Sequence, residues 1–235
     1  MKNKYNLAAR ASLVALVLTA AFTLNASAAT LWYNGDFDGI NGLANEKNTI
    51  VSQAAVYDDF NVTGPGWNVN AVFSDNLMTA GEPIVGADWE IRTGISEGNP
   101  GSVVAFGLNA PVTVTATGRS GFGYIEYMVQ VNGLNVNLTP GTYWLNVTPI
   151  DSGSGRSFNS TTMGANCVGT PCGNNQNAFF NSTYFGYFFS NTANLGQPYD
   201  FSNGVIGTVV PEPATVALLT CGLGALLIAV RRRRA

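Results

Sequence analysis

The chain has 235 residues, 46% hydrophobic and 11% charged, with no histidine and a formal net charge of −3. The absence of histidine excludes the commonest general base, the histidine-based triads and most transition-metal sites. Three of the eleven Lys+Arg precede residue 29 and four follow residue 230; Lys47, Arg92, Arg119 and Arg156 then face thirteen of the fourteen acids, so the middle of the chain carries 4 − 13 = −9 and has no basic patch for nucleic acid or an anionic lipid surface.

Met1 to Ala28 reads as a secretory signal peptide. Lys2, Lys4 and Arg10 form a basic start, Ala11 to Leu24 is apolar apart from Ser12, Thr19 and Thr23, and Ala26-Ser27-Ala28 is a small-x-small site with cleavage expected after Ala28. Residues 29–208 follow as one expected extracellular domain, and about 180 residues suffice for a real core. Asn34-Gly35-Asp36-Phe37-Asp38-Gly39 carries the oxygen ligands and the glycine that open a calcium loop, but Asn45 stands where the bidentate Glu belongs, with Glu46 one place late. Asn34, Asp36 and Asp38 are therefore either a calcium site, the one cofactor the sequence offers, or an Asx-rich turn stapling the N-terminal segment to the domain.

Strands are expected at 50–60, 67–73 with Trp67, Val69, Ala71 and Phe73 on one face, 88–93, 103–108, 112–117, 122–131, 142–147, 178–189 and 205–210. Turn signals such as Thr63-Gly64-Pro65-Gly66 and Gly98-Asn99-Pro100-Gly101 separate them, and no long stretch between the two ends has helical periodicity. The expected class is all-β, an antiparallel β-sandwich, jelly-roll-like. Leu138-Thr139-Pro140-Gly141-Thr142-Tyr143-Trp144-Leu145 resembles the L-x-P-G-T-Y-x-L corner of extracellular β-sandwich modules, which implies that Tyr143, Leu145 and Val147 enter the core.

Asp58-Asp59 and Asp88-x-Glu90 are the tight carboxylate groups. A glycosidase needs two carboxylates facing across a cleft, which neighbours on one strand do not supply. They are expected on solvated strand faces; no catalytic residue is expected, and a carboxylate-based hydrolase is the weakest reading. Of the aromatics Trp32, Tyr33, Trp67, Trp89, Tyr124, Tyr127, Tyr143 and Trp144, most should be core. Trp144 falls on the face opposite Tyr143 and Leu145, so it is the expected outward ring for stacking on a sugar. Residues 151–177 form a Ser-, Gly- and Asn-rich stretch, long enough to be a functional loop or a mobile insertion. Within it Cys167 and Cys172 are the domain's two cysteines, and an oxidising compartment would join them in a small disulfide loop.

Residues 209–235 form a tail of different character. Pro211-Glu212-Pro213 precedes a charge-free run, Ala214–Val230, and then Arg231, Arg232, Arg233 and Arg234. As a helix that run spans roughly 26 Å at about 1.5 Å per residue, just enough for a transmembrane helix. The arginines stop transfer and stay cytoplasmic, so the domain faces outward. The prolines hold the junction extended and accessible.

The order of motif, helix and arginine cluster, behind a signal peptide, resembles the PEP-CTERM sorting signal of Gram-negative bacteria. The resemblance implies an exosortase, a membrane transpeptidase-like enzyme, that recognises Pro211, Glu212 and Pro213 and removes the helix. The implied partners are the secretion translocase, signal peptidase, exosortase, the inner membrane before processing, and exopolysaccharide. The implied location is an inner-membrane-anchored precursor whose mature domain is periplasmic, at the cell surface or extracellular. A structural or binding component of the exopolysaccharide or biofilm matrix is the expectation, with a calcium-assisted carbohydrate-binding module as the alternative.

Overall fold

The computed structural model describes residues 27–211. The signal peptide as far as Ala26 lies outside the described residues, as do Glu212, Pro213, the apolar run with Cys221, and Arg231 to Arg234. Fifteen strands make up the domain: β1 (Ala29–Tyr33), β2 (Phe37–Ala44), β3 (Ala55–Val62), β4 (Trp67–Met78), β5 (Ile84–Thr93), β6 (Ser102–Ala110), β7 (Val112–Gly121), β8 (Tyr124–Val131), β9 (Val136–Leu138), β10 (Gly141–Asp151), β11 (Ser157–Thr162), β12 (Phe179–Ser182), β13 (Tyr187–Asn191), β14 (Asp200–Phe201) and β15 (Asn203–Val209). The helical segment is one 3₁₀ turn, Thr192–Leu195, and no helix among the described residues is long and apolar enough to cross a membrane.

All named strands pair antiparallel in two sheets, which face each other as a β-sandwich. The six-stranded sheet runs β13-β12-β3-β10-β5-β6. In the nine-stranded sheet the long β4 is central: β8, with β7 beyond it, and β9 pair with it, and so do β15, which carries β1, and β11, which carries β2 and β14. Between the sheets Phe60 stacks on Trp32, Trp67 and Tyr143, with centroids at 5.3, 6.0 and 5.7 Å. Leu145, Val147, Trp89 and Ile91 complete this layer. Tyr143 closes the Pro-Gly corner by donating its hydroxyl to the Thr139 carbonyl at 3.0 Å.

Three expectations about strands are corrected. Trp67, Val69, Ala71 and Phe73 do not share a face. The β4–β15 register passes from Val69↔Gly207 to Ala71↔Ile206, which leaves Asn70 as an extra residue. A bulge of this kind reverses the alternation, so Val72 joins Trp67 and Val69 in the core while Phe73 packs outside on Tyr33 at 5.6 Å. Residues 178–189 are not one strand but the hairpin β12–β13, broken at Thr183–Gly186. The carboxylates expected on solvated faces are buried: Asp58, Asp59 and Asp88 are at most 6% exposed.

Candidate functional site

The Asn70 bulge sends Phe73 and Asp75 of β4 to the outer face of the nine-stranded sheet. Cross-strand register then brings Met128 of β8 opposite Asp75, and Thr115 of β7 opposite Met128. These side chains, with Tyr33 and Asp36 at the end of β1 and Val168 from the long loop, line a cleft of about 390 Å³. Its floor is organised by Arg119. The guanidinium meets three carboxylates: Asp36 Oδ1 at 2.8 Å from Nη1, Asp75 Oδ2 at 3.1 Å from Nη2, and Glu126 Oε2 at 2.5 Å from Nε. The Tyr33 hydroxyl sits 2.8 Å from Asp36 Oδ1 and 3.0 Å from Asp75 Oδ2, and Ser202 Oγ lies 3.0 Å from the same Asp75 oxygen. The far oxygens, Asp75 Oδ1 and Glu126 Oε1, are buried without a hydrogen-bond partner. Burial first, and then the Glu126 charge, push the Asp75 carboxyl up to about 6 although Arg119 pulls it the other way.

The sequence offered Asn34, Asp36 and Asp38 as either a calcium site or an Asx-rich turn; the structure sends their side chains to three different sets of partners. Asn34 is fully buried, its amide donating to Asp58 Oδ2 at 3.0 Å and to the Phe201 carbonyl at 3.3 Å while its side-chain oxygen accepts from the Gly173 N–H at 2.9 Å. Asp36 turns to Arg119, Tyr33 and Asn166. Asp38 accepts from the Ile40 N–H at 2.9 Å and from the Thr161 hydroxyl at 2.6 Å. The three bind the protein's own donors, as a staple would. No group of three or more metal-ligating side chains among the described residues is placed to hold an ion.

The long stretch is neither a free loop nor an insertion. It contains β11 and a segment closed by the Cys167–Cys172 disulfide, whose Cα atoms are 5.6 Å apart. Tyr33 and Val168 exchange both backbone hydrogen bonds, at 2.9 and 2.8 Å, and the Trp32 indole donates to the Pro171 carbonyl at 3.1 Å. The disulfide loop is thereby docked on β1, and Val168 becomes one wall of the cleft.

Trp144 is corrected as a stacking ring. It stands on the face opposite Tyr143 and Leu145, but β12 and β13 cover that face. Trp144 is 8% exposed, lies edge-on to Phe179 at 6.3 Å and donates its indole N–H to the Asn177 carbonyl at 3.0 Å. Exposed rings lie elsewhere: singly at Phe106 and Phe122, and as a group at the tip of the β12–β13 hairpin. Tyr184, Phe185, Tyr187 and Phe188 are 40% to 57% exposed. Gly186, with φ at +75°, makes the turn, and Ser182 Oγ pins it by accepting the Phe185 N–H at 3.2 Å and donating to the Gln53 carbonyl at 2.6 Å. Reading 178–189 as one strand hid this tip; Thr183 and Gly186 inside the run were the available turn signal.

The expected carboxylate pairs are held separately. Asp88 receives Lys47 at 2.7 Å, and Glu90 receives Arg92 at 2.5 Å and the Tyr57 hydroxyl at 2.9 Å. Glu46, buried, is held by Arg156 at 2.8 Å. All four cations of the domain are thus committed to its own carboxylates. Asp58 and Asp59 instead join Asp200, with amides as partners: the Phe201 N–H and the Asn34 amide on Asp58, the Asn175 side chain on Asp59, and the Asn175 N–H on Asp200. Burial, followed by the charges of Asp200 and Asp59, holds Asp58 well above the usual carboxylate range, and burial above all brings Asp200 up to about 6.

At the chain's two described ends Ala28 and Pro211 are exposed, with Val210 tied by its N–H to the Gly66 carbonyl at 2.9 Å. Comparison of the chain with protein-family models, with curated proteins and with solved structures found no match.

Proposed function

We propose that this is an exported, exosortase-sorted surface protein whose jelly-roll-like sandwich serves as a structural or binding component of an exopolysaccharide matrix. The observation that carries the binding part is the hairpin tip. Four solvent-facing rings on one turn are costly to leave in water and are suited to stacking on the apolar faces of sugar rings. The rest of the surface agrees with such a role. With Lys47, Arg92, Arg119 and Arg156 paired internally, the acidic domain has no unpaired Lys or Arg side chain among the described residues to draw it to nucleic acid or anionic lipid. In this reading the domain binds and holds rather than catalyses; the pairs read from the sequence, Asp58-Asp59 and Asp88-x-Glu90, are each bonded to the protein's own donors.

The sorting part rests on the sequence of the tail. It is supported by Pro211 being exposed directly after the last tie of the sandwich, where a membrane enzyme could reach it. Intact mass of the protein from cells with and without exosortase tests it. The expected result is a species starting at Ala29 and lacking the segment from about Pro211 onward in exosortase-bearing cells only. Chains running from Ala29 through Ala235 in both would make the tail a plain anchor.

A further inference from the structure

The cleft over Arg119 has a charge it does not use. One guanidinium faces Asp36, Asp75 and Glu126, so the cluster carries +1 − 3 = −2 when ionised. Asp75 is 2% exposed, lines the cleft and keeps Oδ1 without a partner. Asp36 stands at the rim with its side chain 23% exposed. The walls are of two kinds: Phe73, Met128 and Val168 are apolar, and Thr30 and Thr115 carry hydroxyls, while the Thr117 hydroxyl is bound to Glu126 Oε2 at 2.6 Å. A volume of about 390 Å³ is of the size that takes small molecules, whose sites start at roughly 300 Å³.

We propose that this cleft binds an amine-bearing sugar unit, the ammonium group resting on Asp36 beside Asp75, where one guanidinium leaves three carboxylates under-compensated, with the apolar walls against the ring's C–H face and Thr30 and Thr115 on its hydroxyls. The inference rests on the matrix reading above and names the kind of polysaccharide it would engage. A compact ammonium with three donors satisfies carboxylate oxygens that point in different directions. A bare metal ion fits less well, because no three ligating side chains among the described residues converge on one point. A neutral sugar would leave the excess charge where it is.

The test uses the exported protein as recovered from the cells and titrates it calorimetrically with two tetramers, fully deacetylated and fully N-acetylated glucosamine. The expected result is binding of the deacetylated form, weakened by salt, with the acetylated form at least tenfold weaker. Asp36→Asn should weaken binding at least tenfold. Val168→Trp, which fills the cleft without touching a charge, should abolish it, with the thermal transition of both variants retained. Equal affinity for the two tetramers, no binding of either, unchanged binding in both variants, or calcium chloride alone saturating the site would each overturn the proposal. Protein that fails this titration yet still sediments with the matrix refutes only the cleft assignment; protein that binds the amine but is absent from the matrix refutes the matrix reading.

Discussion

Replacing Arg119 by methionine is expected to destabilise the domain by about 3–5 kcal/mol, the usual cost of removing one partner from a buried ion pair. The side chains of Asp75 and Glu126 are 3% and 0% exposed, so neither can turn to water when the guanidinium leaves. The loss comes from uncompensated buried charge rather than from missing contacts. It should therefore shrink if that charge is removed as well: Arg119→Met combined with Asp75→Asn and Glu126→Gln is expected to regain most of the urea midpoint. A loss of unfolding free energy under about 1 kcal/mol for Arg119→Met alone, the usual worth of a surface pair, would show the cluster to be solvated and not buried.

The second large effect is on pH. The domain is expected to lose stability as pH rises from about 4 to 7, the reverse of ordinary acid denaturation. Asp75 and Asp200 titrate at about 6 in the fold, and Asp58 and Asp59 are raised too. In the unfolded chain an aspartate titrates near 3.9. Between those values the folded state holds protons that the unfolded state has released. The stabilisation is thus fully present below about 4 and is gone once the pH has passed through the folded values. For Asp75 a shift of two units corresponds to about 3 kcal/mol, and the Asp58, Asp59 and Asp200 cluster adds to it in the same direction. Urea midpoints at pH 4 and pH 7.5 measure this directly, and Asp200→Asn should flatten the dependence. A midpoint that rises with pH would mean that these carboxylates are stabilised as anions.

Much of the architecture was legible because a half-buried antiparallel strand writes its faces into the sequence with period two. Asp88 to Thr93 alternates in sequence, with Trp89 and Ile91 in the core, and the Pro-Gly corner put Tyr143, Leu145 and Val147 where they lie in the core. The disulfide was expected from the two cysteines between residues 29 and 208, Cys167 and Cys172, and they are joined. What failed did so for definable reasons. A bulge is a register event between two strands, so nothing in residues 67–73 alone reveals that Asn70 reverses the alternation. That one residue turns Phe73 and Asp75 outward and builds the cleft. The face carrying Trp144 was correctly assigned but its exposure was not, because β12 and β13 come from far along the chain to cover it. The buried carboxylates were misplaced for the same reason: their partners, Lys47 for Asp88 and Asn34 for Asp58, are close in space and distant in sequence. Arg119 looked like one of four scattered cations; only the sheet brings three acids to it.

The measurement that separates the proposed matrix role from any other is the partition of the protein between matrix, envelope and medium, before and after enzymatic digestion of the exopolysaccharide. A matrix component sediments with the polysaccharide and is released when it is digested, and substituting Tyr184 and Phe188 by serine at the hairpin tip moves it to the medium without digestion. Protein that stays with the envelope after digestion, or that is free in the medium while the polysaccharide is intact, would contradict the proposed function.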